Sequence, residues 1–331
     1  MKILAIAPNM NDATAFYRVI MPLLNLQKTG KLTFEITDNP SFTEILACDV
    51  VFLQRPCIDL HLGIAEKCKL YNKPLVIDYD DNLFEVPEHN PAHHLYSRES
   101  VKSNMSKCVG LADHVIVSTD SLREALLHLN PNITVVHNAL DLSLMPPREI
   151  SWNKRRTDIM WRGTNTHQAD IASVAPQIAK LSHKYPNWRW LFMGVDYRIL
   201  EAFMAPKTYG YAGVFPEINV FLRKLQQLAA PIHIVPLDNS KFNESKSNLA
   251  WLEATWAGSA VVAPDMLEWR QDCIQIYNGP NGLLNTISYL VSNPDNIKKL
   301  NEDSWELIQA EYLIEHVNKL RYTIFNEILQ K

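Results

Sequence analysis

Short apolar runs recur along the first half of the chain at 2–8, 50–53, 74–78, 112–117 and 133–136, each closed by polar or turn residues, and 32–36 supplies a further strand. Runs of roughly four to eight residues that stay apolar, rather than alternating, predict strands buried on both faces. Between them, helical spacing predicts helices starting near Phe16 and over 64–70, 101–111 and 121–128. Residues 142–153, with Pro146 and Pro147, then break the pattern as a linker would. The alternation restarts with strands at 157–163, 188–194, 232–237 and 274–277 and helices at 171–184, 219–230 and 281–292. Residues 197–215, rich in Gly, Pro and Tyr, predict irregular structure, and 294–329 a largely helical tail. One stretch, 236–264, compresses a strand end, a polar loop, a helix with Leu249, Leu252 and Trp256 on one side, and the next strand. The sum is two βα-repeating halves of similar size with a helical end.

Composition narrows the class. The 331 residues are 47% hydrophobic and 21% charged, as in ordinary globular domains, and the length favours two cores. A formal net charge of −4 gives no bulk attraction to nucleic acid or anionic membrane. Only a local track such as Arg18, Arg55, Lys102 and Lys107 would serve a nucleic-acid phosphate backbone. The five cysteines lack paired metal-binding spacing and read as buried thiols of a reducing compartment. No run reaches membrane-spanning length, and the opening apolar run is too short for a signal peptide, so a cytoplasmic protein without a transmembrane segment is expected.

Candidate chemistry collects where strands end. In an open α/β sheet, ligands sit at the carboxyl ends of strands and anions at the N-terminus of the following helix. The loop 238–247 carries Asn243, Glu244, Ser245, Lys246 and Ser247 into such a helix, and Glu253 lies inside it. Arg162, Gly163, Thr164 and His167 form a second loop of this kind, with glycine permitting close approach and Arg162 and His167 facing an anion. That loop lacks the lysine spacing of a P-loop, and neither half carries the glycine pattern of a nicotinamide site. In the first half, Tyr17 and Arg18 cluster at a helix start. The strand ending at Asp78, Asp80 and Asp81 offers a divalent-metal site, a general base on an acceptor hydroxyl or the cap of a turn; alternation puts Asp78 and Asp80 on one face and turns Asp81 away. The loop 85–99 carries His89, His93 and His94 in a spacing that matches no helix-borne zinc pattern and reads as acceptor-facing.

Together these residues resemble the glycosyltransferases of the GT-B architecture, two Rossmann-like domains facing across a cleft, and within them the retaining family 4-like enzymes. Residues Val136 to Asp141 look like the strand-end motif that precedes the linker, with His137 and Ala139 where the family has proline and glycine. The loop after Trp161 is similar to the glycine loop that faces the donor diphosphate, and 242–262 to the donor region. The family's acid pair has its second member at Glu253, implied to bind ribose hydroxyls; the first falls on Ser245, between Glu244 and Lys246. The resemblance implies an acceptor domain over 1–145, a linker over 146–156, a donor domain over 157–310 and a C-terminal crossover helix over 311–331 that packs back on the first domain. It implies hexosyl or pentosyl transfer from a UDP- or GDP-sugar, with no cofactor or metal required. Asp80, Asp81, Lys246 and Arg162 would carry the chemistry. Gly163, Thr164, His167, Asn243, Glu244, Ser245, Lys246, Ser247 and Glu253 would hold the donor, and Tyr17, Arg18, Asp78 and His93 the acceptor. A glycan, lipid-linked or nucleic-acid acceptor all stay open, as does the oligomeric state. Alternative readings are a DNA-base-modifying glycosyltransferase, a sugar-nucleotide epimerase, or a non-catalytic nucleotide-sugar or glycan-binding protein.

Overall fold

The computed structural model describes residues 1–152 and 157–330. Of the predicted linker, 153–156 lie outside the described residues.

The first sheet contains β1 (Lys2–Ile6), β2 (Thr33–Thr37), β3 (Val50–Gln54), β4 (Leu75–Tyr79), β5 (His114–Val117) and β6 (Ile133–Val135). All pairings are parallel, in the order β2-β1-β3-β4-β5-β6. The second contains β7 (Asp158–Gly163), β8 (Arg189–Gly194), β9 (Tyr209–Gly213), β10 (Ile232–Ile234), β11 (Ala260–Pro264) and β12 (Gln275–Tyr277), again all parallel, in the order β12-β11-β10-β7-β8-β9. Both faces of each sheet are covered. Leu4 and Ile6 enter one core and Ile3 and Ala5 the other, while Ile232 and Ile234 share a core with Ile159 and Trp161. This accounts for the uniformly apolar runs.

Each sheet has a point where the strand order reverses, between β1 and β3 in the first and between β7 and β10 in the second. Crevices open at such switch points, outside the carboxyl ends of the strands. The chain returns to the first domain near its end: Leu140 N–H donates to Tyr312 O at 2.9 Å and Ile314 N–H to Leu140 O at 2.9 Å. The helix Ile314–Ile328 then lays Ile324, Phe325 and Ile328 into the first core, with the Phe325 ring 5.5 Å from Phe52.

Three details differ from the pattern reading. Residues 197–215 are not wholly irregular, since they hold a 3₁₀ helix Arg198–Phe203 and the edge strand β9. The tail is two helices, Pro294–Glu311 and Ile314–Ile328, because residues 312–313 are taken up by the bridge to Leu140. The helix Leu249–Trp256 is not one-sided: Trp251 to Trp256 are all buried, so it is a core helix held between domains.

Candidate active site

At the switch point of the second sheet, Arg162 and Gly163 end β7. Gly194, at φ +96°, ends β8 against them, and Val195 N–H donates to Gly163 O at 2.8 Å. A Cβ on Gly194 would stand 2.1 Å from that oxygen, so glycine is required for the two strand ends to meet. Arg162 is thereby aimed across the sheet, its guanidinium 5.2 Å from the Phe221 ring and paired with Glu253. Glu253 comes from the buried helix Leu249–Trp256, and its other oxygen accepts the Tyr17 hydroxyl at 2.7 Å. Tyr17 belongs to the first domain, on a π-helical turn, Phe16–Ile20, that also buries Arg18. Burial pushes the Glu253 carboxyl up, with Arg162 and Tyr17 pulling it back.

On the facing side, Arg18 makes a two-pronged contact with Asp78, its Nη2 2.8 Å from Oδ2, while Nη1 donates to Val136 O at 2.7 Å. Asp78 is fully buried by this contact and does not face the cleft, in contrast to its expected acceptor role. The strand alternation stops at Tyr79, so Asp80 and Asp81 do not diverge as the pattern suggests: both reach Arg55, Asp81 at 2.7 Å. Lys246 crosses from the second domain to Asp81 at 3.1 Å, with its ammonium 4.5 Å above the Phe242 ring. Burial raises Asp80, and Asp81 adds to this while Arg55 opposes it. Burial acts the same way on Asp81, but Lys246 and Arg55 outweigh it and bring its pKa to about 2. Two neighbouring carboxyls thus sit in environments that drive their proton affinities apart, the arrangement that separates acid from base roles.

Between these groups lies a cleft of about 300 Å³ reached by Tyr17, Arg18, Asp80, Asp81, Arg162 and Lys246. Thr164, His167 and Ser247 line it as well. Of the other candidates, Asn243 turns inward to Asp170 Oδ1 at 2.8 Å and Asp238 Oδ1 at 2.6 Å. Because Asp170 also takes His167 Nδ1 at 2.8 Å, this network ties the loops after β7 and β10 together. Glu244 and Ser245 line a neighbouring cavity instead, and His93 is bound to Val86 O at 2.7 Å, outside the cleft. Among the described residues no group of three or more His, Cys, Asp or Glu side chains is placed to hold a metal ion, and no helix is long and apolar enough to cross a membrane.

Pattern reasoning left Asn138 and Trp269 out of this site and offered Arg55 only to a nucleic-acid backbone. Arg55 has a left-handed backbone, φ +45°, directly after β3, a conformation that non-glycine residues adopt only when the surroundings impose it, and one that clusters at functional sites. Its position at a strand end was the available signal. Asn138 connects Arg18 Nη1 at 3.2 Å to Ser247 Oγ at 2.7 Å and so links the domains. Trp269 lines the cleft with its indole N–H unpartnered among the described residues.

No protein-family model matches the sequence, and no curated protein matches it. Solved structures do. The chain is similar to a sucrose-phosphate synthase from Thermosynechococcus elongatus, with TM-score 0.75, 14% identity, and coverage of 100% of this chain and 99% of that one. It is similar to HepE from Anabaena, solved in complex with UDP and glucose, with TM-score 0.67, 12% identity, and coverage of 99% and 100%. It is also similar to a protein described as a UDP-N-acetylglucosamine 2-epimerase from Listeria monocytogenes, with TM-score 0.60, 13% identity, and coverage of 96% and 94%. At these identities the likeness is one of fold: two Rossmann-like domains in the GT-B arrangement, with a C-terminal helical region packed back on the first.

Proposed function

We propose that the protein transfers a sugar from a nucleotide-sugar to an acceptor hydroxyl, with the donor held mainly by the second domain. The observation that carries this reading is the pairing, across one cleft, of two cations at a Rossmann switch point, Arg162 and Lys246, with the carboxyl pair Asp80 and Asp81. Sugar transfer to a hydroxyl breaks the bond from the anomeric carbon to the diphosphate oxygen and forms one to the acceptor oxygen. The acceptor proton leaves to a base, and a nucleoside diphosphate is released. Arg162 and Lys246 would stabilise the departing diphosphate. Asp80, whose raised proton affinity suits proton uptake, would take the hydroxyl proton. Glu253 would clamp the ribose hydroxyls once Tyr17 yields its oxygen. UDP-sugars are the first donors to examine, since HepE was solved with UDP and glucose. Retention of anomeric configuration, which the family resemblance implies, belongs to the same proposal and requires the acceptor oxygen to approach the anomeric carbon on the face that the diphosphate leaves.

The decisive experiment follows nucleoside diphosphate release from a panel of UDP- and GDP-sugars with and without acceptors. Release that requires an acceptor supports transfer. Interconversion of the donor sugar without an acceptor would support the epimerase reading, which the Listeria likeness keeps in view. The DNA-modifying reading loses two of its four basic residues, because Arg18 and Arg55 are engaged by Asp78, Asp80 and Asp81.

A further inference from the structure

A second cavity of about 620 Å³ lies between the domains, beside the cleft. The two share a wall made by adjacent residues: Asp81 and Lys246 face the cleft, whereas Asn82 and Ser245 face the second cavity. The 3.1 Å ion pair between Asp81 and Lys246 lies in this partition, beside the hydrogen bond that Thr119 Oγ1 donates to Ser245 O at 3.0 Å. Lys102, Lys241 and His128 line this cavity together with Glu85, Glu124 and Glu244, so ammonium groups are outnumbered by carboxylates. Such a wall disfavours a polyanion, and it sets the apolar surface of Phe84 and Ala125 among polar groups, as the C–H faces and hydroxyls of a sugar ring require. It suits a ligand rich in hydroxyls, because carboxylates and amides take the paired O–H donors of a sugar ring. Phe84 supplies one aromatic face. Asn82 is only 3% exposed, and its Oδ1 has no hydrogen-bond partner among the described residues. A buried acceptor left unpaired costs about 1–3 kcal/mol unless something donates to it.

We infer that this cavity is the binding site for the body of the acceptor, and that the acceptor is an uncharged oligosaccharide rather than a nucleic acid or a lipid. The inference rests on the proposed transfer activity. The acceptor's reactive hydroxyl passes the partition to reach the donor when the ion pair between Asp81 and Lys246 opens, which couples acceptor entry to release of Lys246 toward the diphosphate.

The test uses Ser121→Trp, which fills the cavity from the helix Asp120–Leu126, and Glu124→Lys at an exposed position of the same helix. Neutral di- to tetrasaccharides and their sulfated counterparts serve as acceptors, and calorimetry with UDP and GDP reads the donor site. The expected result is that the wild type prefers neutral acceptors. Ser121→Trp lowers acceptor kcat/KM by about tenfold or more, Glu124→Lys lowers it for neutral acceptors, and nucleotide affinity is kept in both variants. Kept acceptor kcat/KM in both folded variants, preference for sulfated acceptors, or no transfer to any oligosaccharide despite nucleotide binding would overturn the inference while leaving the donor reading intact. Absence of nucleotide binding in the wild type would overturn both.

Discussion

Tyr17→Phe removes one oxygen from a buried contact that joins the two domains. Tyr17 and Glu253 are each only 2% exposed, and the hydroxyl lies 2.7 Å from Oε1. Deleting the donor strands a buried carboxylate oxygen, and a hydrogen bond to a charged group contributes about 1.5–3 kcal/mol. For a protein built of two mid-sized domains, each kcal/mol corresponds to roughly 2–4 °C in Tm, so the ligand-free variant should melt about 3–12 °C lower. Nucleotide affinity should move the other way. If Glu253 gives up Tyr17 to take ribose hydroxyls, the wild type loses this bond on binding and the variant has nothing to lose. UDP or GDP should therefore bind Tyr17→Phe at least as tightly as wild type, and about 10- to 150-fold more tightly if the whole bond is given up on binding. Thermal unfolding without ligand and calorimetric titration with nucleotide supply the two readings. An unchanged Tm would show that the hydrogen bond contributes nothing. A tenfold weaker nucleotide would show that Tyr17 holds the donor and would refute the exchange.

Glu253→Ala should weaken nucleotide binding by about tenfold or more, whereas Asp80→Asn should lower kcat with nucleotide affinity within about twofold; equal losses of affinity would dissolve this division of labour. His233 sits in the middle of β10 with both ring nitrogens unpartnered among the described residues, and burial, with Arg162 nearby, brings its pKa down to about 3. It is neutral in the folded protein, but the unfolded chain takes up a proton below the ordinary value of 6.5. Its contribution is complete above that pH and is lost as pH falls toward 3, reaching about 2 kcal/mol by pH 5. Denaturant titrations of His233→Leu should show a correspondingly flatter decline between pH 6.5 and 5, and a slope equal to wild type would contradict the assignment. Gly194→Ala should cost about 2–4 kcal/mol, because the methyl group meets Gly163 O at a left-handed φ, and near-wild-type stability would show that the strand ends can part.

Strands such as β1, β3 and β4 could be read from sequence because they are buried on both faces, which leaves uninterrupted apolar runs, whereas β2 exposes Thr33 and Glu35. The edge strand β9 escaped, since Tyr209, Gly210 and Tyr211 are half-buried or exposed and two of its five residues are glycine. The break at residues 312–313 was equally silent: a bridge to Leu140 creates it, and local helical spacing carries no trace of so distant a partner. Site residues followed the same division. Arg162, Gly163, Lys246 and Glu253 fall at strand ends or on the helix that follows, where position alone suggests a ligand. What they touch was not readable: Tyr17 lies 236 positions from Glu253, and Lys246 lies 165 from Asp81. Asp78 and Asp80 were grouped by strand alternation, yet the strand ends at Tyr79 and a buried arginine claims Asp78 alone.

The most direct test is a thermal-shift titration with UDP, GDP and their sugars on the wild type and on an Arg162→Ala, Lys246→Ala double variant. A ligand that binds only the folded state adds about 2.7 kcal/mol at one hundred times its Kd. The wild type should therefore show a saturable rise of roughly 5–10 °C with at least one of these nucleotides, and the double variant should lose it. No rise with any nucleotide diphosphate, or a rise that survives the loss of both cations, would contradict the assignment of this cleft as a nucleotide-sugar site.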